Sequence, residues 1–284
     1  MTRAAKVVTI APEACAGPVL VSADVHGNLA DFERLRAIFL GLVAAGRDPL
    51  WLSVGDWVHG PAGDEGGRRD VLGRDGAALY DYADETPALL RGLFALMDAH
   101  PGRVLSLCGN HEHAHIGGRR TRKFHDDEAA ALEARLSAAE VAELRARFAS
   151  WPMLFRLPAL GVVVTHGALS AELEHAEELE EIVYAGPNQG RAAELLHSAM
   201  TRYGFGPGED ERLLERLGPP GQYRVLVHGH DRDEEGWSPS GARAGLLCTS
   251  FGARRERKAY LQLERPLAGL DDVREGLELR RLWG

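Results

Sequence analysis

Cysteine is scarce. Cys15, Cys108 and Cys248 are the only three among 284 residues, and no two of them form a Cys-x-x-Cys pair. An odd, scattered set argues against a disulfide framework or a zinc knuckle, and free thiols suit a reducing cytoplasm. Long apolar stretches are missing as well. No run of about 18 apolar residues occurs, and the N-terminus lacks the apolar stretch of a secretion signal, so the expectation is a soluble, cytoplasmic chain with no membrane partner. Positive charge is the minority sign: 33 Lys and Arg stand against 42 Asp and Glu, a net charge of −9. Dedicated nucleic-acid binding, which leaves a basic footprint, is therefore not expected. An anionic substrate stays open, because bound metal ions invert the local field.

There is no internal repeat and no long low-complexity linker. Hydrophobic residues at 45% and charged residues at 26% make an ordinary globular balance. The chain reads as a single domain over 1–284, with a core over about 19–263 and a C-terminal extension over 264–284. Short apolar runs alternate with amphipathic stretches, an α/β pattern. Strands are expected at 18–23, 50–54, 103–107, 162–165, 225–228, 246–249 and 259–263. Helices are expected at 29–45, with Leu35, Ile38, Phe39 and Leu42 on one face, and over most of 77–99, where Pro87 breaks or restarts the turn. Ser137 with Glu140 forms a capping box that opens a helix running to about 149. The segment Gly60–Gly76, rich in Gly, Asp and Arg, reads as a surface loop. The charge run Glu172–Glu181 reads as a solvated helix face.

The chemistry-bearing residues gather where strands end. The first strand runs into Asp24-Val25-His26-Gly27-Asn28, the second into Gly55-Asp56, and the third into Gly109-Asn110-His111-Glu112. Later strands run into Thr165-His166-Gly167 and His228-Gly229-His230. Ligands of open α/β sheets collect outside the carboxyl ends of strands. Positions i and i+2 of a strand face one side, so Asp24 and His26 can reach one metal ion if the strand geometry persists to its end. A lone His or Gly-Asp is weak evidence; five such elements in order, rich in oxygen and imidazole donors, are not.

That order resembles the calcineurin-like metallophosphoesterases, and within them the phosphoprotein phosphatase branch. Asp24-Val25-His26-Gly27, Gly55-Asp56-Trp57-Val58-His59-Gly60, Gly109-Asn110-His111-Glu112, His166-Gly167 and Gly229-His230 follow the family pattern. Leu195-Leu196-His197-Ser198, Arg202-Tyr203-Gly204-Phe205-Gly206, Gly236-Trp237 and Thr249-Ser250-Phe251-Gly252 are similar to further stretches of the branch. The resemblance spans about 19–263. It implies a four-layer fold, a two-sheet β-sandwich flanked by helices, with two divalent metal ions at the strand ends. Asp24, His26 and Asp56 are then expected on one ion, and Asp56, Asn110, His166 and His230 on the other, with Asp56 bridging. Oxygen and imidazole donors without thiolate suit Mn, Fe or Zn. His111 is the expected general acid, and Arg202 the expected phosphate clamp, its guanidinium a planar fork.

The chain departs from the pattern after Gly55-Asp56-Trp57-Val58. His59 and Gly60 stand where the family has Asp-Arg, so both the group that orients the catalytic His and one phosphate clamp are absent from their usual places. Arg119, Arg120, Arg232 and Arg254 are candidates to replace that clamp, although each reads first as an ordinary surface arginine. His228 reads as a supporting residue, and His113 and His115 have no assigned role. The favoured reading is a phosphomonoesterase acting on a phosphorylated substrate of the phosphoprotein or phosphopeptide class. A hydrolase of dinucleoside polyphosphates, nucleotides or other small phosphodiesters is the second, and a non-catalytic metal-binding regulator the third.

Overall fold

The computed structural model describes residues 4–61, 72–74, 76, 78–170 and 172–284. Its strands, in chain order, are β1 Val7–Thr9, β2 Val19–Ser22, β3 Leu50–Ser53, β4 Val104–Ser106, β5 Leu154–Leu157, β6 Val162–Thr165, β7 Val225–His228, β8 Trp237–Ser240, β9 Gly245–Cys248, β10 Ala259–Leu263 and β11 Leu279–Arg281. The α-helices are α1 Leu29–Ala44, α2 Thr86–Ala99, α3 Asn110–His113, α4 Glu128–Glu133, α5 Ala138–Ser150, α6 Gly190–Thr201 and α7 Glu209–Arg216. One mixed sheet has the order β1-β5-β6-β7-β9-β8 and the other the order β11-β10-β2-β3-β4.

Two apolar clusters follow from the alternation of side chains along these strands. Val19, Val21, Leu50 and Leu52 of one sheet share a cluster with Val162, Val164, Val225 and Val227 of the other, the filling of the sandwich. Leu20, Trp51, Val163 and Leu226 point the opposite way and pack with helix residues such as Phe32, Leu93 and Leu213. Burial on both faces explains why the central strands read as unbroken apolar runs. The result is the expected two-sheet sandwich flanked by helices.

Several local expectations differ from the structure. The helix expected over 77–99 is confined to α2, with Pro87 in its first turn, where a missing N–H costs nothing. The run Glu172–Glu181 contains a 3-10 helix over Ala176–Glu181, and the Glu180 carboxylate accepts N–H bonds from Lys6 and Val7 at the start of β1. Residues 264–284 include β11, which pairs antiparallel with β10, and Trp283 donates its indole N–H to Asp31 of α1 at 2.9 Å. The tail is therefore built into the sheet. Most of Gly60–Gly76 lies outside the described residues. The Ser137–Glu140 capping box is present, with the Ser137 N–H donating to Glu140 at 2.8 Å.

One buried carboxylate holds the β8–β9 hairpin. A single oxygen of Asp210, on α7, accepts N–H bonds from Ala242, Arg243, Ala244 and Gly245 at 3.1, 2.9, 2.7 and 3.1 Å. Burial raises its pKa, but these four donors outweigh that and hold the carboxyl below its ordinary range. A depressed folded-state pKa gives stability that is present above the unfolded value and lost as pH falls through the folded one. Asp210→Ala is expected to cost roughly 2–3 kcal/mol in urea unfolding at pH 7, the scale of losing a charged acceptor for buried N–H groups. That deficit should shrink in acid; a constant deficit down to pH 3 would contradict the charge-based account.

Candidate metal centre

Five strand ends meet along one edge of the sandwich. Parallel neighbours β2, β3 and β4 deliver Asp24 and His26, Asp56, and Asn110. Parallel neighbours β6 and β7 of the other sheet deliver His166 and His230. The His166 ring ties the two sheets together by donating its Nδ1–H to the Val54 carbonyl at 2.9 Å, and within its own sheet the Gly229 N–H donates to the His166 carbonyl at 2.9 Å, carrying the β6–β7 pairing to the edge.

The backbone is strained at this edge. Among the described residues, the non-glycine positions with left-handed φ are Asp24 (48°), His26 (48°), Asp56 (54°), His59 (68°) and His230 (68°). Each costs about 1–3 kcal/mol, and such positions cluster where side chains must be aimed. Close approach does the rest. A Cβ on Gly109 would sit 2.3 Å from Asp56 Oδ1, and one on Gly229 would sit 2.5 Å from Asp24 Oδ1. Glycine is required at both places. Buried Glu112 secures the β3 and β4 ends together by accepting N–H bonds from Asp56, Trp57 and Gly109 at 2.8, 2.8 and 3.0 Å.

Donor atoms converge on Asp56. One carboxylate oxygen lies 3.6 Å from His26 Nε2 and the other 3.7 Å from His166 Nε2. Asn110 Oδ1 lies 3.0 Å from both His166 Nε2 and His230 Nδ1. Both oxygens of fully buried Asp24, and Nε2 of His230, have no hydrogen-bond partner among the described residues. Burial, then the neighbouring Asp56, push the Asp24 carboxyl well up, and burial pushes Asp56 up to about 7. Burial also holds the imidazoles neutral, with His26 well below its usual value, His166 at about 4 and His230 at about 2. Orphaned carboxylate oxygens beside unprotonated imidazoles are what a divalent cation satisfies: it neutralises the acids and takes the lone pairs. The residues present therefore fit metal ions.

Residues 17–232 match the calcineurin-like phosphoesterase family. The chain belongs to that family. It is a metal-dependent phosphoesterase. No curated protein matches the sequence. Among solved structures, a protein serine/threonine phosphatase from Saccharomyces cerevisiae, with similarity to human phosphatase PP5, aligns with a TM-score of 0.59 at 13% identity, over 91% of this chain and 76% of that one. The cold-active protein-tyrosine phosphatase of a psychrophilic Shewanella aligns with a TM-score of 0.57 at 16% identity, over 92% and 78% of the respective chains. At such identities the likeness is one of fold.

The phosphoesterase opens onto this centre through a cleft of about 790 Å³, with Asp56, Asn110, His111 and His230 on its floor. One wall is the basic segment after α3, with Arg119, Arg120, Arg122 and Lys123 all lining it. Arg120 is paired with Asp127 at 2.8 Å. Lys123 lies 3.5 Å over the Phe251 ring, and burial lowers its pKa to about 8 against the pull of Asp56 and Asp24. Sequence reasoning passed over Lys123; the only signal was the basic run at 119–123. Tyr203 lines the mouth, 69% exposed and stacked on His230 at 4.8 Å.

Arg202 goes elsewhere. It caps the end of α6, and its guanidinium pairs with Glu209 and reaches the Leu169 carbonyl at 3.5 Å. Its neighbours Met200, Thr201 and Tyr203 line the cleft and it does not. This geometry does not support the clamp role expected of it. His228 is bound to the Gly229 carbonyl and Ser240 at 2.9 and 2.7 Å, away from the centre. His113 reaches the Tyr184 carbonyl at 3.1 Å. His59 takes the place of the family's orienting Asp: its Nδ1 lies 2.8 Å from His111 Nδ1.

Proposed function

We propose that the chain hydrolyses phosphomonoesters at two divalent metal ions, Mn, Fe or Zn, in the manner of the phosphoprotein phosphatase branch. The observation that carries this reading is the convergence of His26, Asn110, His166 and His230 on Asp56, beside an Asp24 whose oxygens are orphaned and whose carboxyl feels the Asp56 charge. In this reading Asp24, His26 and Asp56 hold one ion, and Asp56, Asn110, His166 and His230 hold the other. Bound ions activate the attacking water and neutralise charge on the phosphoryl oxygens. His111, at the first turn of α3 and held by its N–H to Asp56 Oδ1 at 3.2 Å, passes a proton to the departing oxygen. Three unpaired cysteines are in keeping with a reducing cytoplasm, and no helix among the described residues is long and apolar enough to cross a membrane.

Phosphate grip falls on the basic wall, Lys123 first, because Arg202 is engaged by Glu209 and the motif's own Arg is replaced by Gly60. Lys123→Ala should raise KM for an aryl phosphate about 10-fold or more, the scale of one charge-assisted hydrogen bond, with metal content unchanged. A wild-type KM would remove Lys123 from substrate binding.

One observation favours a second substrate class. The exposed face of Tyr203 at the cleft mouth is suited to stacking on a nucleobase, which supports a nucleotide or dinucleoside polyphosphate. Assays of the metal-reconstituted protein on phosphopeptides, diadenosine polyphosphates and an aryl phosphate separate the readings. Fastest turnover of phosphopeptides supports the first, fastest turnover of the polyphosphate the second, and no turnover of any supports a metal-binding regulator.

A further inference from the structure

A second group of potential ligands lies behind His111, where His59 and Glu128 line a cavity other than the main cleft. His59 Nδ1, His111 Nδ1 and a Glu128 oxygen face one another, with the two nitrogens 2.8 Å apart and the oxygen 3.7 Å from His111 and 4.0 Å from His59. Around Asp56 the corresponding separations are 3.0–3.7 Å, so here the nitrogen pair is closer and the Glu128 oxygen as far or slightly farther. All three residues are buried.

Two independent features point to a cation here. The first is Glu128 Oε2, which is buried and has no hydrogen bond of good geometry among the described residues, the Thr121 hydroxyl and Lys123 N–H being the donors nearest this carboxylate; its other oxygen accepts the Phe124 N–H at 2.9 Å. A proton shared by the two imidazoles would leave this oxygen without a partner, and a buried unpaired carboxylate oxygen is costly. The second is the support behind His59. Its Nε2 lies 2.9 Å from His115 Nε2, and His115 Nδ1 lies 2.8 Å from Glu133 Oε1. A carboxylate only accepts, so His115 donates from Nδ1 and accepts at Nε2. His59 must then donate from Nε2, which leaves its Nδ1 lone pair aimed at His111 and Glu128. Carboxylate–histidine support of this kind orients metal-binding imidazoles. A separate cavity of about 360 Å³, lined by His59, Glu128 and His125, gives an ion a way in.

We infer that His59, His111 and Glu128 form a third divalent-metal site, of the two-histidine, one-carboxylate type that zinc occupies. Thr121, whose hydroxyl lies 3.3 Å from His59 Nδ1, borders the open position. The inference rests on the reading of His111 as the proton donor and deepens it. If His111 Nδ1 instead donated its hydrogen to His59, the neutral ring would present a bare Nε2 to the cleft. With its Nδ1 lone pair occupied by an ion, the neutral ring carries its hydrogen on Nε2, as a proton donor must. The ion thereby takes over the orienting role of the Asp that His59 replaces.

The test is stoichiometry. The full chain is saturated with zinc, desalted, and counted by mass spectrometry against protein concentration. Three ions per chain are expected in the wild type, two in Glu128→Gln and one in Asp56→Asn. Two ions in both wild type and Glu128→Gln would overturn the third site while leaving the main centre intact. Equal counts in Asp56→Asn and the wild type would instead overturn the main centre. Should Glu128→Gln fail to fold by circular dichroism, anomalous diffraction from wild-type crystals at the zinc edge decides. A peak among His59, His111 and Glu128 supports the site, and none there overturns it.

Discussion

Asp56→Asn should leave a folded protein that binds neither ion of the main centre and turns over an aryl phosphate at least about 10³-fold more slowly, the equivalent of several kcal/mol of lost Lewis-acid stabilisation. Both Asp56 oxygens are in use, one facing His26 and the other His166. An amide supplies one neutral acceptor and turns the second position into a donor that repels a cation. The fold should survive, because burial already pushes the Asp56 carboxyl up to about 7. The sign follows from linkage: a raised folded-state pKa gives stability that is present below the unfolded value of about 3.9 and lost as pH rises through about 7. Chelator-stripped wild type should therefore lose stability on going from pH 4 to pH 8, Asp56→Asn should lose less, and added divalent ion should restore only the wild type. Melting curves with and without chelator measure all three. An Asp56→Asn protein with full metal content and full turnover would remove Asp56 from the bridge.

His111→Ala is the second large effect. It should lower kcat on an alkyl phosphate by about 10²–10⁴-fold, the range of general acid catalysis, and slow an aryl phosphate far less, since a good leaving group needs little protonation. The two ions around Asp56 should stay bound, although the His111 ring lies close to His26 and Asp56. In this reading Asp24, His26, Asp56, Asn110, His166 and His230 supply their ligands, and the backbone N–H of residue 111 that holds Asp56 Oδ1 survives the substitution. The ratio of alkyl to aryl rates is the deciding measurement. Equal slowing of both would assign His111 to orientation or to metal binding at the main centre.

These expectations differ in how much of their basis is visible before folding. Asp24, His26, Asp56, Asn110, His166 and His230 each sit in a short run right after an apolar strand, so their convergence can be anticipated: parallel strands end on one edge. Three of the four edge strands, β1, β8 and β11, and the interior β5 were less visible. β1, β8 and β11 are only partly buried and carry no unbroken apolar run, β5 is interrupted by Arg156, and β8 reads Trp-Ser-Pro-Ser, with a proline suited only to an edge. Such segments become strands through their neighbours, and their own residues carry little signal. The over-long helix expected at 77–99 erred in the same way, since composition favoured helix where tertiary contacts took residues 78–85 out of it.

Side-chain direction was the part that local pattern could not reach. Arg202 follows the family pattern in position, yet Glu209 takes its guanidinium, while Lys123, in a run that looks like ordinary surface charge, comes to the cleft wall. His59 is a substitution in a motif until folding brings His111, Glu128, His115 and Glu133 around it from up to 74 positions away. The sequence by itself determined the α/β class, the family and the order of the strand-end donors, because those depend on short-range periodicity and on residues a few positions apart. The tertiary structure alone decided which charges face the cleft and what stands behind His111. Those depend on competition among partners far apart in the chain, settled by burial and by which unpaired groups the packing leaves facing one another.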